Sequence, residues 1–365
     1  MANTTKAAAT KIKQVKAKPV KSEVKGKAVR RSKIKMSKLK FKNLQANANR
    51  KGVIAAAAMD QRGSLQKSIE KLGGDSSAKG LGEFKSVVTD TLTPHATAIL
   101  LDPEFGLKAA NYRHGKGLLL AYELSGYDNT VPGRLPDLLP NQSVKRLKEQ
   151  GATGVKILLY YNPYDDKTVN DRKHAFVERI GSECDAEELP FFLEPIVYND
   201  DVKDEFEFSK LKPKYVRLAM EELTKDRYGV DILKVEFPFN ANFTEGFAKG
   251  EHIAYSQEEA IRYTREAASV ATKPYIYLSA GVDMNVFATS VEIAGRANTS
   301  FSGVLCGRAT WKNGIPVFAK EGKTGLRKWL KGEGVDNINI LNKALAKYAK
   351  PWWNIYGGQD RISII

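Results

Sequence analysis

Lys234 and Glu236 stand two residues apart in the apolar segment VDILKVEFPF (230–239). Side chains two apart on an extended chain share a face, and a buried, unpaired charge is costly. The two charges therefore either neutralise each other or line a site. Other apolar segments are interrupted in the same way. Asp60 and Gln61 close VIAAAAMDQ (53–61), Lys156 lies in GVKILLYYN (154–162) and Glu194 in PFFLEPIVY (190–198). Ser279 and Arg308 follow in PYIYLSAG (274–281) and GVLCGRA (303–309). Asp102 and Glu123 are more ambiguous, since Asp102 precedes Pro103 and can simply shape a turn. Two lysines in one low-dielectric site raise each other's cost of staying charged, so one lysine pKa falls. A lysine so tuned is nucleophilic near neutral pH and forms Schiff bases with carbonyl substrates. A neighbouring carboxylate can then move the protons. On this reading Lys234 is the imine-forming amine, Lys156 its cationic neighbour and Glu194 the acid/base.

These residues need elements to bring them together. Eight short β-rich runs occur beyond residue 52: the five segments above together with ATAILLDPE (96–104), GLLLAYE (117–123) and ILKVEFPF (232–239). Helix-periodic stretches such as SVKRLKEQG, VNDRKHAFVERIGSECDAEE and SQEEAIRYTREAASVAT separate them, the last opening on a Ser256–Glu259 capping signal. Strands apolar on both faces, alternating with helices, indicate a parallel sheet covered by helices. Eight such units predict a closed (β/α)8 TIM barrel spanning 51–365, whose catalytic groups sit at the C-terminal strand ends. A doubly wound open sheet is the alternative, but MDQRGSL offers one glycine where that fold wants several. Two more helices are expected near 315–332 and 338–350, and the terminal WWNIYGGQDRISII has no evident place.

The loops after strands seven and eight are the usual phosphate site of such a barrel, and here they carry small residues and Arg308. Arg62, after the first strand, could hold a second phosphate. Two anion sites flanking an imine lysine suggest a bisphosphorylated ketose. EGKTGL contains Gly-Lys-Thr, but Val317 replaces the first P-loop glycine, so a helix-adjacent loop is expected. KLGGDSSAKGLGEF reads as a plain linker.

Composition bounds the rest. The formal charge is +16, yet residues 1–50 hold sixteen basic side chains and a single acid, Glu23, so the body is nearly neutral. That segment, poor in apolar residues, predicts a disordered basic N-terminal tail over 1–50. It offers a polyanion such as nucleic acid a contact, although a solvated extension with no specific partner is the plainer expectation. Two cysteines, Cys184 and Cys306, give no disulfide framework. No apolar run approaches the roughly 18 residues of a membrane span, and a cytoplasmic protein is expected. The four histidines show no metal-ligand spacing, which disfavours a zinc-dependent enzyme and leaves no metal expected. Assembly into a homo-oligomer is compatible with the sequence.

Taken together, MDQRGSL, LLDPEFGL, LLLAYELSGYD, GVKILLYYN, RIGSEC, PFFLEP, DILKVEFP, PYIYLSAGV and GVLCGRATW resemble the class I tagatose-1,6-bisphosphate aldolases from about residue 52 to about 350. The resemblance implies the Schiff base on Lys234, the acid/base on Glu194, an active-site lysine at Lys156 and the Asp-Gln pair at Asp60 and Gln61. It also implies substrate and phosphate contacts at Ser279, Gly281, Gly307 and Arg308, with no cofactor beyond the covalent imine. The expected reaction is cleavage of tagatose 1,6-bisphosphate, and of fructose 1,6-bisphosphate, to dihydroxyacetone phosphate and glyceraldehyde 3-phosphate. A Schiff-base aldolase for another sugar phosphate, such as a sulfofructose phosphate, and a polyanion-binding protein on an idle barrel are the alternatives. The N-terminal tail departs from the family's pattern.

Overall fold

A computed structural model describes residues 33–248 and 250–365. Two short elements, β1 (Ile34–Met36) and α1 (Lys38–Ala46), precede the barrel. Its strands are β2 (Ile54–Met59), β3 (Ala98–Leu101), β4 (Gly117–Ala121), β5 (Gly154–Tyr161), β6 (Phe191–Val197), β7 (Ile232–Val235), β8 (Tyr275–Leu278) and β9 (Gly303–Cys306). Each falls within one of the eight apolar runs. All neighbours pair in parallel, and β9 returns to pair with β2, so the sheet is closed and the open-sheet alternative is excluded. Gly303 stands on the closing seam opposite Ile54 at φ +138°, where a Cβ would lie 1.8 Å from the Ile54 carbonyl oxygen. Only glycine lets these strands close here.

The helices follow as expected, with detail the sequence did not show. They are α2 (Gly63–Glu70), α3 (Ala78–Leu92), α4 (Val144–Glu149), α5 (Lys167–Ala186), α6 (Glu205–Leu223), α7 (Gln257–Ser269), α8 (Met284–Arg296), α9 (Arg308–Trp311), α10 (Gly314–Trp329) and α11 (Val335–Tyr348). The Ser256–Glu259 capping box on α7 is present. KLGGDSSAKGLGEF is not a plain linker, because its second half, from Ala78, forms about the first two turns of α3, capped by Ser77. The Gly-Lys-Thr segment lies inside α10 rather than beside a helix, with a kink at Gly322. No described helix is long and apolar enough to cross a membrane.

Strand alternation sorts the apolar side chains into two cores. Outward residues such as Ile99, Leu118, Ile157 and Leu233 pack beneath the helices, whereas Ile54, Ala56, Leu100, Leu119, Phe192, Ile232, Ile276 and Leu305 fill the barrel. Met36, Leu44, Trp352 and Ile362 join that inner cluster. The N-terminal mouth is therefore plugged by α1 and by the terminal segment that had no expected place. β10 (Ile362–Ile364) pairs in parallel with β1, the Trp352 N–H donates to the Gly52 carbonyl at 2.9 Å, and Phe41 packs edge-on against Trp352.

The expected tail boundary at residue 50 moves accordingly. Residues 34–46 are a strand and a helix of the barrel unit, with Met36, Lys40 and Leu44 buried. Lysine-rich composition hid an N-cap, Ser37, which accepts from the Lys40 N–H, and a buried stripe at helical spacing. Burial works against the Lys40 charge, but Asp231 (3.1 Å) and Asp185 outweigh it and raise its pKa. The expectation of disorder for residues 1–32 lies outside the described residues.

Candidate active site

Because β5, β6 and β7 alternate, Lys156, Glu194 and Lys234 share the barrel interior with the apolar plug beneath them. Lys156 is registered with Phe192, and Leu158 with Glu194. Asp60 follows the end of β2, and Glu123 the end of β4. These side chains converge at the C-terminal mouth. Lys234 Nζ lies 2.7 Å from Glu194 Oε1, and Glu194 Oε2 lies 2.9 Å from Lys156 Nζ. Lys156 also meets Asp60 at 2.9 Å and Glu123 at 2.8 Å. Glu236 has another task than Lys234: it pairs with Lys212 of α6 at 2.9 Å and accepts the Val197 N–H at 2.8 Å. β7 ends at Val235, so Glu236 is free to turn toward α6.

The electrostatics correct one expectation. Lys156 is 1 % exposed, and burial disfavours its charge. Asp60, Glu123 and Glu194 outweigh that cost and raise its pKa well above the ordinary lysine value. Lys156 is thus a held ammonium surrounded by carboxylates, and Glu194 bridges it to Lys234. The two lysines do not form a bare like-charge pair. Asp60 is likewise buried, which alone would raise its pKa, but Lys156 and Lys234 hold it well below the usual carboxylate range.

A cavity of about 780 Å³ opens above this cluster and is lined by all ten residues nominated from the sequence: Asp60, Gln61, Arg62, Lys156, Glu194, Lys234, Ser279, Gly281, Gly307 and Arg308. On the β8–β9 side, Gly281 has φ +77°, and a Cβ there would lie 2.6 Å from Arg308 Cζ. Glycine lets the guanidinium lie against the backbone. Arg308 is exposed and makes no ion pair with the described residues, so its donors face the cavity free. The Gln61 side-chain oxygen is buried without a hydrogen-bond partner among the described residues.

Arg62 is placed differently from expectation. It touches the cavity but is 5 % exposed, with its guanidinium donating to Glu104 (2.9 Å) and to the Glu123 carbonyl (2.7 Å). Those two donors join the β2 and β4 ends, whereas Nε is buried without a hydrogen-bond partner among the described residues. The cations that sequence reading passed over are Lys67, exposed on α2, and Arg134. Arg134 lies over the Tyr198, Tyr127 and Tyr160 rings at 4.2, 5.3 and 5.5 Å and pairs with Asp200 at 2.6 Å. It belongs to the loop after β4, whose stem is tied by the Glu123–Leu138 bridge. A loop residue with distant partners leaves no periodic signal. Asp102 does shape a turn, accepting the Phe105 N–H at 2.8 Å, but it also pairs with buried Lys85. It stands behind the site rather than in it.

The closed barrel and the lysine–carboxylate cluster on its cavity floor define a (β/α)8 enzyme. Residues 54–313 match the family described as DeoC/LacD family aldolase. A tagatose 1,6-diphosphate aldolase of Listeria monocytogenes serotype 4a is 49 % identical over 325 residues, covering 88 % of this chain and 96 % of the relative. Tagatose 1,6-diphosphate aldolase 2 of Enterococcus faecalis is 49 % identical over 308 residues (84 % and 93 %), and a Staphylococcus epidermidis tagatose 1,6-diphosphate aldolase 45 % over 316 residues (86 % and 97 %). A solved fructose-bisphosphate aldolase of Plasmodium falciparum shares the fold at TM-score 0.65 and 13 % identity, covering 87 % of this chain and 98 % of that one. The chain belongs to the DeoC/LacD family of aldolases.

Proposed function

We propose that this aldolase cleaves D-tagatose 1,6-bisphosphate, and its C4 epimer D-fructose 1,6-bisphosphate, through an imine on Lys234. The printed names of its relatives support the first substrate. The observation that carries the mechanism is the 2.7 Å contact between Lys234 Nζ and Glu194 Oε1, made inside a cavity whose rim holds a free arginine. Glu194 draws a proton from the Lys234 ammonium and frees the lone pair to attack C2 of the ketose. The carbinolamine hydroxyl takes that proton back from Glu194 and leaves as water, giving the iminium, with Asp60 assisting beside Lys156. Glu194 then accepts the C4 hydroxyl proton as the C3–C4 bond breaks. The bond's electrons pass into the iminium to give an enamine, and glyceraldehyde 3-phosphate departs. Protonation at C3 and addition of water release dihydroxyacetone phosphate and restore Lys234.

Lys156, held positive by its carboxylates, donates to substrate oxygens as charge develops. The Gln61 side-chain oxygen accepts from a substrate hydroxyl. Ser279, Gly281, Gly307 and Arg308 take the C1 phosphate. Two of the Arg62 donors are already paired and Arg134 is paired with Asp200, so Lys67 is the cavity-lining cation best able to take the second phosphate, with Arg62 and Arg134 beside it. The iminium is the electron sink in this scheme, and none of the four histidines lines the cavity, so the reading is metal-independent. Borohydride added with dihydroxyacetone phosphate should trap the imine, with the adduct mapped to Lys234 by mass spectrometry and activity retained in EDTA. An adduct confined to another lysine, or EDTA-inactivated enzyme that zinc restores, overturns the mechanism. Cleavage rates on tagatose, fructose and sulfofructose phosphates, measured side by side, assign the substrate.

A further inference from the structure

Lys85 lies on α3, outside the barrel, and its side chain is fully buried. Its ammonium donates to the Met59 and Gln61 carbonyls, both at 2.7 Å, and meets Asp102 Oδ2, also fully buried, at 2.5 Å. The ammonium thus hydrogen-bonds two carbonyls and is neutralised by Asp102 in ion-pair contact. The two carbonyls belong to the residues on either side of Asp60. They lie at and beyond the last ladder pair of β2 with β3, Met59 with Leu101. Past that pair the sheet no longer fixes the backbone. The Met59 carbonyl belongs to the peptide entering Asp60 and the Gln61 carbonyl to the peptide one residue beyond, and movement between these two points would swing the Asp60 carboxylate off Lys156. Asp102 is itself anchored by the Phe105 N–H at 2.8 Å, so the ammonium ties this free strand end to the end of β3. Well-packed apolar residues often stabilise a fold as well as a buried ion pair does. Stability alone therefore gives no reason for a buried charge pair at this place.

We propose that Lys85 is a positioning residue: by gripping the carbonyls that flank Asp60, it fixes the direction in which that carboxylate meets Lys156 and the reacting carbinolamine. The proposal rests on the imine reading above, in which Asp60 serves carbinolamine formation and dehydration. Lys85 touches no substrate and acts only through Asp60.

The test uses the full chain carrying Lys85→Met with Asp102→Asn, which removes the ammonium, leaves no uncompensated carboxylate and keeps an oxygen for the Phe105 N–H. Cleavage kinetics should show kcat lowered roughly 10–100-fold, the cost of a misplaced group of this kind, with KM changed by less than about threefold. A merely structural lesion would not reproduce the second expectation: in an Asp60→Asn background the same pair of substitutions causes no further loss of kcat, because the group being positioned is already gone. Lys85→Gln with Asp102→Asn keeps two donors in the pocket and should recover part of kcat. It is judged by the same criteria if the Met form does not fold. A folded variant with wild-type kcat, or a loss that multiplies with that of Asp60→Asn, overturns the proposal. If Asp60→Asn alone leaves kcat intact, the proposal falls with the role of Asp60, while a borohydride adduct on Lys234 in the wild type keeps the imine reading standing.

Discussion

Replacing Lys156 with Met removes the ammonium that Asp60, Glu123 and Glu194 share at 2.8–2.9 Å. At an effective dielectric constant near 20, each such contact is worth about 6 kcal/mol gross, most of it offset by the desolvation of both partners. Breaking a buried pair nets about 3–5 kcal/mol, because the carboxylates stay behind without their counter-charge. For a unit of about 330 residues, each kcal/mol shifts Tm by about 1.5 °C, so the variant should melt about 4–7 °C lower. The pH profile is more diagnostic. In the wild type the folded Asp60 pKa lies below its unfolded value near about 4. Its contribution to stability is therefore fully present above that value and is lost only as pH falls toward the folded pKa. Without Lys156, Lys234 is left to oppose burial, so the Asp60 pKa rises from its depressed position. The stability that the wild type gains from Asp60 then shrinks, so the deficit of the variant should be small in acid and widen as pH rises through about 4, reaching its full size at neutral pH. Thermal unfolding across that range measures both effects. A variant melting within about 2 °C of wild type at every pH would show that Lys156 does not hold the carboxylates as described.

Other outcomes follow from the same geometry. Glu194→Gln keeps the side-chain shape but removes the base, so turnover should fall roughly 10²–10⁴-fold, and near wild-type turnover would remove Glu194 from proton transfer. Gly281→Val forces an L side chain into φ +77° and displaces the Arg308 guanidinium 2.6 Å away, so KM for the bisphosphate should rise roughly tenfold or more through loss of a charge-assisted contact. An unchanged KM would place the C1 phosphate elsewhere. Deleting residues 1–32 should leave cleavage and Tm unchanged. Deleting 1–46 removes Met36, Lys40 and Leu44 from the barrel base and should lower Tm by several degrees, and equal behaviour of the two truncations would refute the plug.

The eight strands were legible because their apolar runs are short, β-rich and separated by helical periods, a signal carried by every element at once. The site was legible for a related reason. Lys156, Glu194 and Lys234 each break an apolar run at an inward position, and burial makes such an interruption costly enough to mean something. Partners were not legible. Glu236 shares a strand-like pattern with Lys234, yet its counter-charge, Lys212, comes from the preceding helix, and no local rule names it. Arg62 does line the cavity, but sequence does not reveal that Glu104 and the Glu123 carbonyl occupy two of its donors. The N-terminal boundary failed through averaging: the charge of the whole segment masked Ser37, Lys40 and Leu44, which pattern as one capped helix.

The pairing of β1 with β10 joins residues 34–36 to residues 362–364, almost the full length of the chain apart. During synthesis the first of these strands emerges long before its partner exists. Seven of the eight barrel pairings join consecutive strands, which can pair as they leave the ribosome with loops of a few dozen residues, and β9 then returns to β2. The base cannot. Its hydrogen bond from the Ile365 N–H to the Met36 carbonyl joins residues at opposite ends of the barrel unit. A nascent polypeptide would hold its catalytic groups on assembled strands while the floor beneath them stayed open, until residues 362–365 had cleared the ribosome and sealed it.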